Sequence, residues 1–160
     1  MVDLDLANEV RELTEKGTMK EDPKNILKLM ELLKQVSAED EELKEELEDM
    51  DKIVGQMVIT DKDFKYWLSS GEGVFDYGEG ETEDPTFTMK ANWETMGGMM
   101  SGEVDGTAAY MSGDLVIEGN LQDTMAYGEF MRIAVEAMQR LGQEWSDNRK
   151  NNKKFLISFF

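Results

Sequence analysis

The hydrophobic period of this chain changes at Ile53, and that switch restricts the fold to a mixed one. Upstream, apolar side chains recur at helical spacing: Leu6, Val10 and Leu13, then Ile26, Leu29, Met30, Leu33 and Val36, then Leu43, Leu47, Met50 and Val54. Gly17 supplies a stop, and Asp22-Pro23 a start with proline where its missing N–H is harmless. Ser37–Asp40 has the spacing of a capping box. Downstream the period is two. Gln56–Thr60 is an apolar run, Phe64, Tyr66 and Leu68 alternate with Lys65, Trp67 and Ser69, and Val74–Tyr77 follows a glycine-bearing turn. These stretches predict a three-stranded meander over Ile53–Ile59, Phe64–Ser69 and Val74–Tyr77.

A fourth strand, Thr86–Ala91, and a fifth, Leu115–Glu118, are each followed by a helix that an asparagine can cap, Asn92 and Asn120. Trp93, Met96 and Met100 share one face of the first helix. Tyr127, Phe130, Met131, Ala134, Met138 and Leu141 form the stripe of the second, which Gly142 closes. Gly97-Gly98 costs a helix about 1 kcal/mol per residue relative to alanine, so the first helix either packs very closely or moves. The order of helices and strands therefore argues for an α+β layer fold. A helix joining the fourth strand to the fifth predicts that these two run parallel, and finding them antiparallel or in separate sheets would overturn the assignment. Residues 1–36 read as an N-terminal helical extension, 37–145 as the main domain, and 146–160 as a basic and apolar tail.

Composition excludes more than it proposes. The chain has no cysteine and no histidine, which removes thiol chemistry, the usual general base and the commonest metal ligand. Its net charge is −18, with 17 acidic and 8 basic side chains in residues 1–52, 13 and 3 in 53–120, and 5 and 6 in 121–160. A phosphate backbone would be repelled, so nucleic acid is not an expected partner. Gly71-Glu72-Gly73 and Gly78-Glu79-Gly80 lack the lysine and third glycine of a phosphate cradle. No serine sits in a Gly-x-Ser-x-Gly elbow. Glu79, Glu81, Glu83 and Asp84 do not follow the order of a calcium loop, so neither catalysis, a metal nor a cofactor is expected. Met1–Asp5 does not resemble a secretory leader and no apolar run approaches 18 residues, which predicts a cytoplasmic protein.

The stretch Ala108–Asn120, AAYMSGDLVIEGN, carries the most specific signal. It resembles the sterol carrier protein 2 domain family, whose last strand typically reads aromatic-Met-Ser-Gly-Lys-Leu-x-Ile-x-Gly-Asn/Asp before a final helix. Thr86-Phe87-Thr88-Met89 and the glycine-punctuated helix after it stand where that family places its fourth strand and following helix. The resemblance extends over roughly Glu39–Leu141 and is tight over Thr86–Ala126. It implies a five-stranded mixed sheet with helices packed on one face around an apolar tunnel, and lipid binding or transfer with no catalytic site. Asp114 stands where the family has lysine, which removes any expectation of a positive site there.

Thirteen methionines give that implication a chemical basis, because unbranched, polarizable side chains adapt to ligands of irregular shape. The lipid-binding wall is expected at Phe87, Met89, Trp93, Met96, Met100, Met111, Leu115, Ile117, Met125 and Phe130. A repackable core of ordinary kind uses methionine in the same pattern. An acidic protein-interaction module that keeps the fold with a closed cavity is thus the alternative to a carrier of lipid or another hydrophobic small molecule. The tail is the second anomaly: Arg149, Lys150, Lys153 and Lys154 precede Phe155-Leu156-Ile157-Ser158-Phe159-Phe160. Three placements suit so apolar a segment: against its own domain as strand or lid, transiently in a membrane surface, or on a partner including a second copy.

Overall fold

The computed structural model describes residues 2–101 and 103–148; residues 149–160 of the expected tail lie outside them. The element order is α1 (Leu4–Glu15), a 3-10 turn (Met19–Glu21), α2 (Asn25–Glu39), α3 (Glu41–Asp49), β1 (Ile53–Ile59), β2 (Phe64–Gly71), β3 (Val74–Glu79), β4 (Phe87–Ala91), α4 (Trp93–Ser101), α5 (Gly106–Ser112), β5 (Val116–Gly119) and α6 (Leu121–Asn148). All five expected strands are present within two residues of their expected bounds. The boundary between α2 and α3 departs from expectation. The Ser37 hydroxyl donates to the Lys34 carbonyl inside α2, and Asp40 is the cap of α3, its carboxylate accepting from Leu43 N–H at 3.0 Å.

The sheet order is β3-β2-β1-β4-β5. β1 and β2, and β2 and β3, pair antiparallel as a meander, and β1 pairs parallel with β4 through Gly55↔Phe87 to Ile59↔Ala91. Residues in register share a face, so Gly55, Met57 and Ile59 stand beside Tyr66, Leu68, Phe87, Met89 and Ile117 on the inner face. The outer face carries Val54, Gln56, Val58, Trp67, Thr88 and Lys90. The helices cover the inner face. Tyr77, in register with inward Leu68, gives its hydroxyl to Glu31 of α2 at 2.9 Å, and Phe130 of α6 stacks on Phe75. α1 lies on α2, joined at its surface by Lys28–Glu9, and its Ala7 and Val10 enter the same core as the sheet.

Two connections decide this topology. The first is the seven-residue loop 80–86, which leads from the edge strand β3 to β4. To place β4 beside β1, the loop must cross three strand spacings, about 14 Å. It crosses on the outer face, held by Gln56, which is buried there. The Gln56 amide nitrogen donates to the carbonyls of Tyr66 and Gly80, each at 3.0 Å, and its oxygen accepts from Thr82 N–H at 2.8 Å. Thr86 N–H then donates to the Val54 carbonyl at 2.7 Å and opens the parallel ladder.

The second connection overturns an expectation. β4 and β5 pair antiparallel, Phe87↔Gly119 to Lys90↔Val116, where a parallel pair was predicted. The cause is α5, a second helical leg between Asp105 and Gly113 that the sequence reading did not separate from its surroundings. One helical leg returns the chain to the start of a neighbouring strand, and two return it to the end. Gly98 makes the reversal possible. A Cβ there would collide with Val104, whose N–H donates to the Gly98 carbonyl at 2.9 Å, so Gly98 serves close packing, whereas a Cβ on Gly97 would meet only the Lys20 side chain at 3.6 Å. Replacing Gln56 by leucine leaves the Gly80 carbonyl and Thr82 N–H without their partner; stability should fall by about 2–4 kcal/mol, measured by urea denaturation.

Candidate functional site

The inner face supplies a floor and α6 a roof. On the floor, the Phe87 ring occupies the space that a side chain at position 55 would fill: a Cβ on Gly55 would stand 2.5 Å from Phe87 Cζ. The glycine in β1 is therefore a packing requirement, which lets the aromatic ring lie flat across two strands. On the roof, Phe130, Ala134, Ala137 and Met138 recur at helical spacing and are fully buried. Phe130 stacks on Phe75 with ring centroids 5.7 Å apart, and Phe87 meets Tyr127 at 5.7 Å in a tilted arrangement.

The ten residues expected to form the lipid-binding wall separate into three groups. Phe87, Met89, Trp93, Met96, Leu115 and Phe130 are buried, and Phe87 and Phe130 at 1% and 0% exposure leave no water-sized void against them. Met100 and Ile117 are half-buried against the core. Met111 and Met125 are 81% and 68% exposed and do not join the inner wall. Their placement follows from helical geometry. Met125 is five residues before Phe130, about 140° around α6, and shares its outward side with Leu121. Met111 belongs to α5, whose inward residue is Ala109.

Trp93 and Met96 sit at the start of α4, which residues of the N-terminal extension grip. The Trp93 indole N–H donates to the Lys20 carbonyl at 2.6 Å, its backbone N–H donates to Asp61 at 2.8 Å, and Asn92 caps Thr95 N–H at 2.8 Å. This wall is tied down at the start of α4. A half-buried part of the interior runs along the seam between the β4–β5 edge and the first turns of α6. There Ile117 of the edge strand, Ala126 and Tyr127 are half-buried, beside Met89 and Met131 at 8% exposure each. Ala126 and Tyr127 were not among the expected wall residues. Tyr127 was legible as part of the α6 stripe, but Ala126 carried no signal, because alanine at a helical position is uninformative by itself.

The electrostatics of the seam are those of a neutral site. Burial pushes the Tyr127 phenol up to about 12. The Tyr66 phenol is driven well above its ordinary range, first by burial and then by Tyr127 nearby. Both hydroxyls are thus protonated at ordinary pH. The nearest cations are engaged outside the seam: Lys90 with Glu118 at 3.0 Å, and Arg132 with Glu129 and Glu136 at 2.6 and 2.8 Å. A cleft of about 230 Å³ opens at the far half of α6, bounded by Val2, Val36, Glu39, Asp40, Ala137, Arg140 and Leu141. It falls below the roughly 300–1,000 Å³ of small-molecule sites. Arg140 also spans its rim to Asp40 at 3.1 Å and Glu42 at 3.3 Å, which suits a structural ion pair better than an apolar guest. Among the described residues there is no cluster of metal-ligating side chains, and no helix is long and apolar enough to cross a membrane.

The architecture defines a class, an α+β domain in which one mixed sheet is roofed on a single face by helices, with an apolar seam at the sheet edge. Residues 30–132 match the model of the SCP-2 sterol transfer family, and the chain belongs to that family. The match spans β4, α4, α5 and β5, so the antiparallel β4–β5 pair corrects the expected strand direction and leaves the family assignment standing. No curated protein matches the sequence. Among solved structures, a protein described as a UbiJ-SCP2 ubiquinone synthesis protein is similar over 66% of this chain and 91% of its own, at 18% identity and a TM-score of 0.54. The sterol carrier protein domain 2 of Helicoverpa armigera is similar over 71% and 91%, at 20% identity and a TM-score of 0.51. The inverting sec-alkylsulfatase Pisa1 from Pseudomonas sp. is similar over 68% of this chain, at 16% identity and a TM-score of 0.52. The chain spans only 16% of the sulfatase's length. At these identities the likeness is one of fold.

The tyrosines give a pH dependence with a definite sign. An unfolded tyrosine releases its proton near pH 10, whereas Tyr127 in the folded chain holds its proton to about 12. Above pH 10 the unfolded state binds fewer protons, so stability falls as pH rises through this window and is unaffected by these groups below it. The melting temperature should decline between about pH 10 and 12, and decline less steeply in Tyr127→Phe.

Proposed function

We propose that this domain is a non-catalytic carrier of a neutral, lipid-like ligand, admitted at the seam between the β4–β5 edge and the N-terminal half of α6. The observation that supports the reading is the seam itself. In a member of the SCP-2 sterol transfer family, Ile117, Ala126 and Tyr127 are only half-buried beside Met89 at the edge of the interior. The driving force is burial, about 0.8 kcal/mol for each CH₂ moved out of water, with no covalent step. Met89 and Met131 suit the wall because methionine repacks around guests of different shape at little cost. Phe87 and Phe130 are sealed in the unliganded chain, so a long guest must part α6 from the sheet. The segment that would have to move, Met125 to Phe130, carries Gly128 with open space about it.

The expected ligand class follows from charge. Lys90, Arg132 and Arg140 are the cations that could pair a carboxylate, and each is already bound to acids of its own surface. The neutral phenol of Tyr127 offers a hydroxyl for an alcohol, ester or quinone-type oxygen. A fatty alcohol should therefore outcompete the fatty acid of equal chain length, read by displacement of a fluorescent lipid; tighter binding of the acid refutes the neutral-ligand assignment. Filling the seam with Ala126→Phe should lower lipid uptake by tenfold or more, about 1.4 kcal/mol, while leaving the melting temperature close to that of the parent chain.

The alternative, an acidic interaction module with a closed interior, is favoured by one observation, the complete burial of Phe87 and Phe130. Solvent extraction of the purified protein separates the two readings. Co-purified lipid supports the carrier, and protein that neither retains nor takes up lipid supports the module.

A further inference from the structure

Seven large apolar side chains are exposed among the described residues, and five of them fall within 16 residues of sequence: Tyr110, Met111, Val116, Leu121 and Met125. They come from the end of α5, from β5 and from the first turns of α6, elements joined by tight turns at Gly113 and Asn120. β5 is also a sheet edge. This corner is one-sided in charge, because residues 103–129 hold six acidic side chains and no basic one. Lys20, Lys90 and Arg132 engage Glu103, Glu118 and Glu129. No cation among the described residues pairs with Asp105, Asp114 or Asp123. An occupant that is apolar and basic fits this surface. Residues 149–160 hold four basic side chains, five large apolar ones and no acid.

Reach decides which copy supplies that segment. α6 ends at Asn148, 23 residues beyond Met125, which is about 35 Å of helix. Even fully extended, Phe155 extends only about 24 Å from Asn148, and Ile157 about 31 Å. A chain's own Phe155, Leu156 and Ile157 thus fall short of its own Met125, and only Phe159 and Phe160, at about 37 and 41 Å of full extension, could attain it. Two copies with their α6 helices antiparallel bring each Asn148 toward the other's Met125, and the exchange closes on itself as a two-fold dimer. We propose that residues 149–160 of one copy dock on the apolar, acidic corner formed by Tyr110, Met111, Leu121 and Met125 of a second copy, and that the second copy returns the contact.

Sedimentation velocity of the full chain over a concentration series tests this. The parent should pass from monomer to dimer, with the midpoint moved to higher concentration by added salt. Phe155→Ser with Phe159→Ser in one chain, and Met125→Lys in another, should each weaken dimerisation by tenfold or more with an unchanged melting temperature. Asp123→Lys should weaken it too, and Lys153→Asp in the same chain should restore part of the loss. A parent chain that stays monomeric throughout overturns the proposal, as does full dimerisation of both the tail and the Met125 variants. A monomer that instead floats with phosphatidylcholine–phosphatidylserine vesicles through Phe155 and Phe159 assigns the tail to membranes and equally overturns it. None of these readouts involves lipid uptake, so failure here leaves the carrier reading standing.

Discussion

The fold depends on one buried amide. A sheet in which β4 lies parallel to β1 requires the chain to return across the sheet after β3, and here no helix covers that return. A bare loop over a sheet face must find partners for its own backbone or leave them unpaired at about 1–3 kcal/mol each. Gln56 resolves this with both ends of its side chain, fastening Gly80 and Thr82 of the loop while also holding the Tyr66 carbonyl. Lys65 adds an ion pair to Glu81 on the same loop, but that pair is exposed and worth little beside a buried amide. Once the loop is pinned, β4 is delivered to β1 in register, and Phe87 comes to lie over Gly55.

The inner face then inherits its character from β4. With Phe87 across Gly55, the floor is flat, and α6 can approach closely enough for Phe130 to stack on Phe75 and Tyr127 to meet Phe87. The approach is close at the middle of α6 and slacker at its start, where the short edge strand β5 offers only Ile117 to the interior. A seam is the geometric consequence of a long helix roofing a sheet whose last strand has four residues. The N-terminal extension acts on the opposite side of this interior, where the Lys20 carbonyl holds the Trp93 indole and so secures α4.

The surface divides in the same way. Lys65, Lys90, Arg132 and Arg140 are each committed to nearby acids, so the excess negative charge is left unbalanced in patches. Repulsion of this kind keeps an apolar corner soluble and also selects what can cover it. Under the proposed carrier role a neutral lipid would meet no charge penalty at the seam, whereas an anionic one would meet engaged cations and acids.

Much of the architecture was legible in local pattern. The five strands and the caps at Asn92 and Asn120 follow from period and capping chemistry, which act within a few residues and so are written in short windows. The stripe of α6 was legible for the same reason, and with it Phe130 and Tyr127. Gln56 was not, since a glutamine inside an apolar run gives no sign of which face it takes or what crosses above it. The direction of β5 was hidden by α5, a seven-residue helix of weak pattern that ends on a left-handed Gly113. Met111 and Met125 read like wall residues because methionine is apolar wherever it stands. Only the turn of each helix against the sheet decided that they face outward. Sequence thus determined which segments are helix and strand and the family they belong to. Tertiary structure decided strand direction, the crossover and the position of the seam, because those depend on contacts between residues tens of positions apart that no local period records.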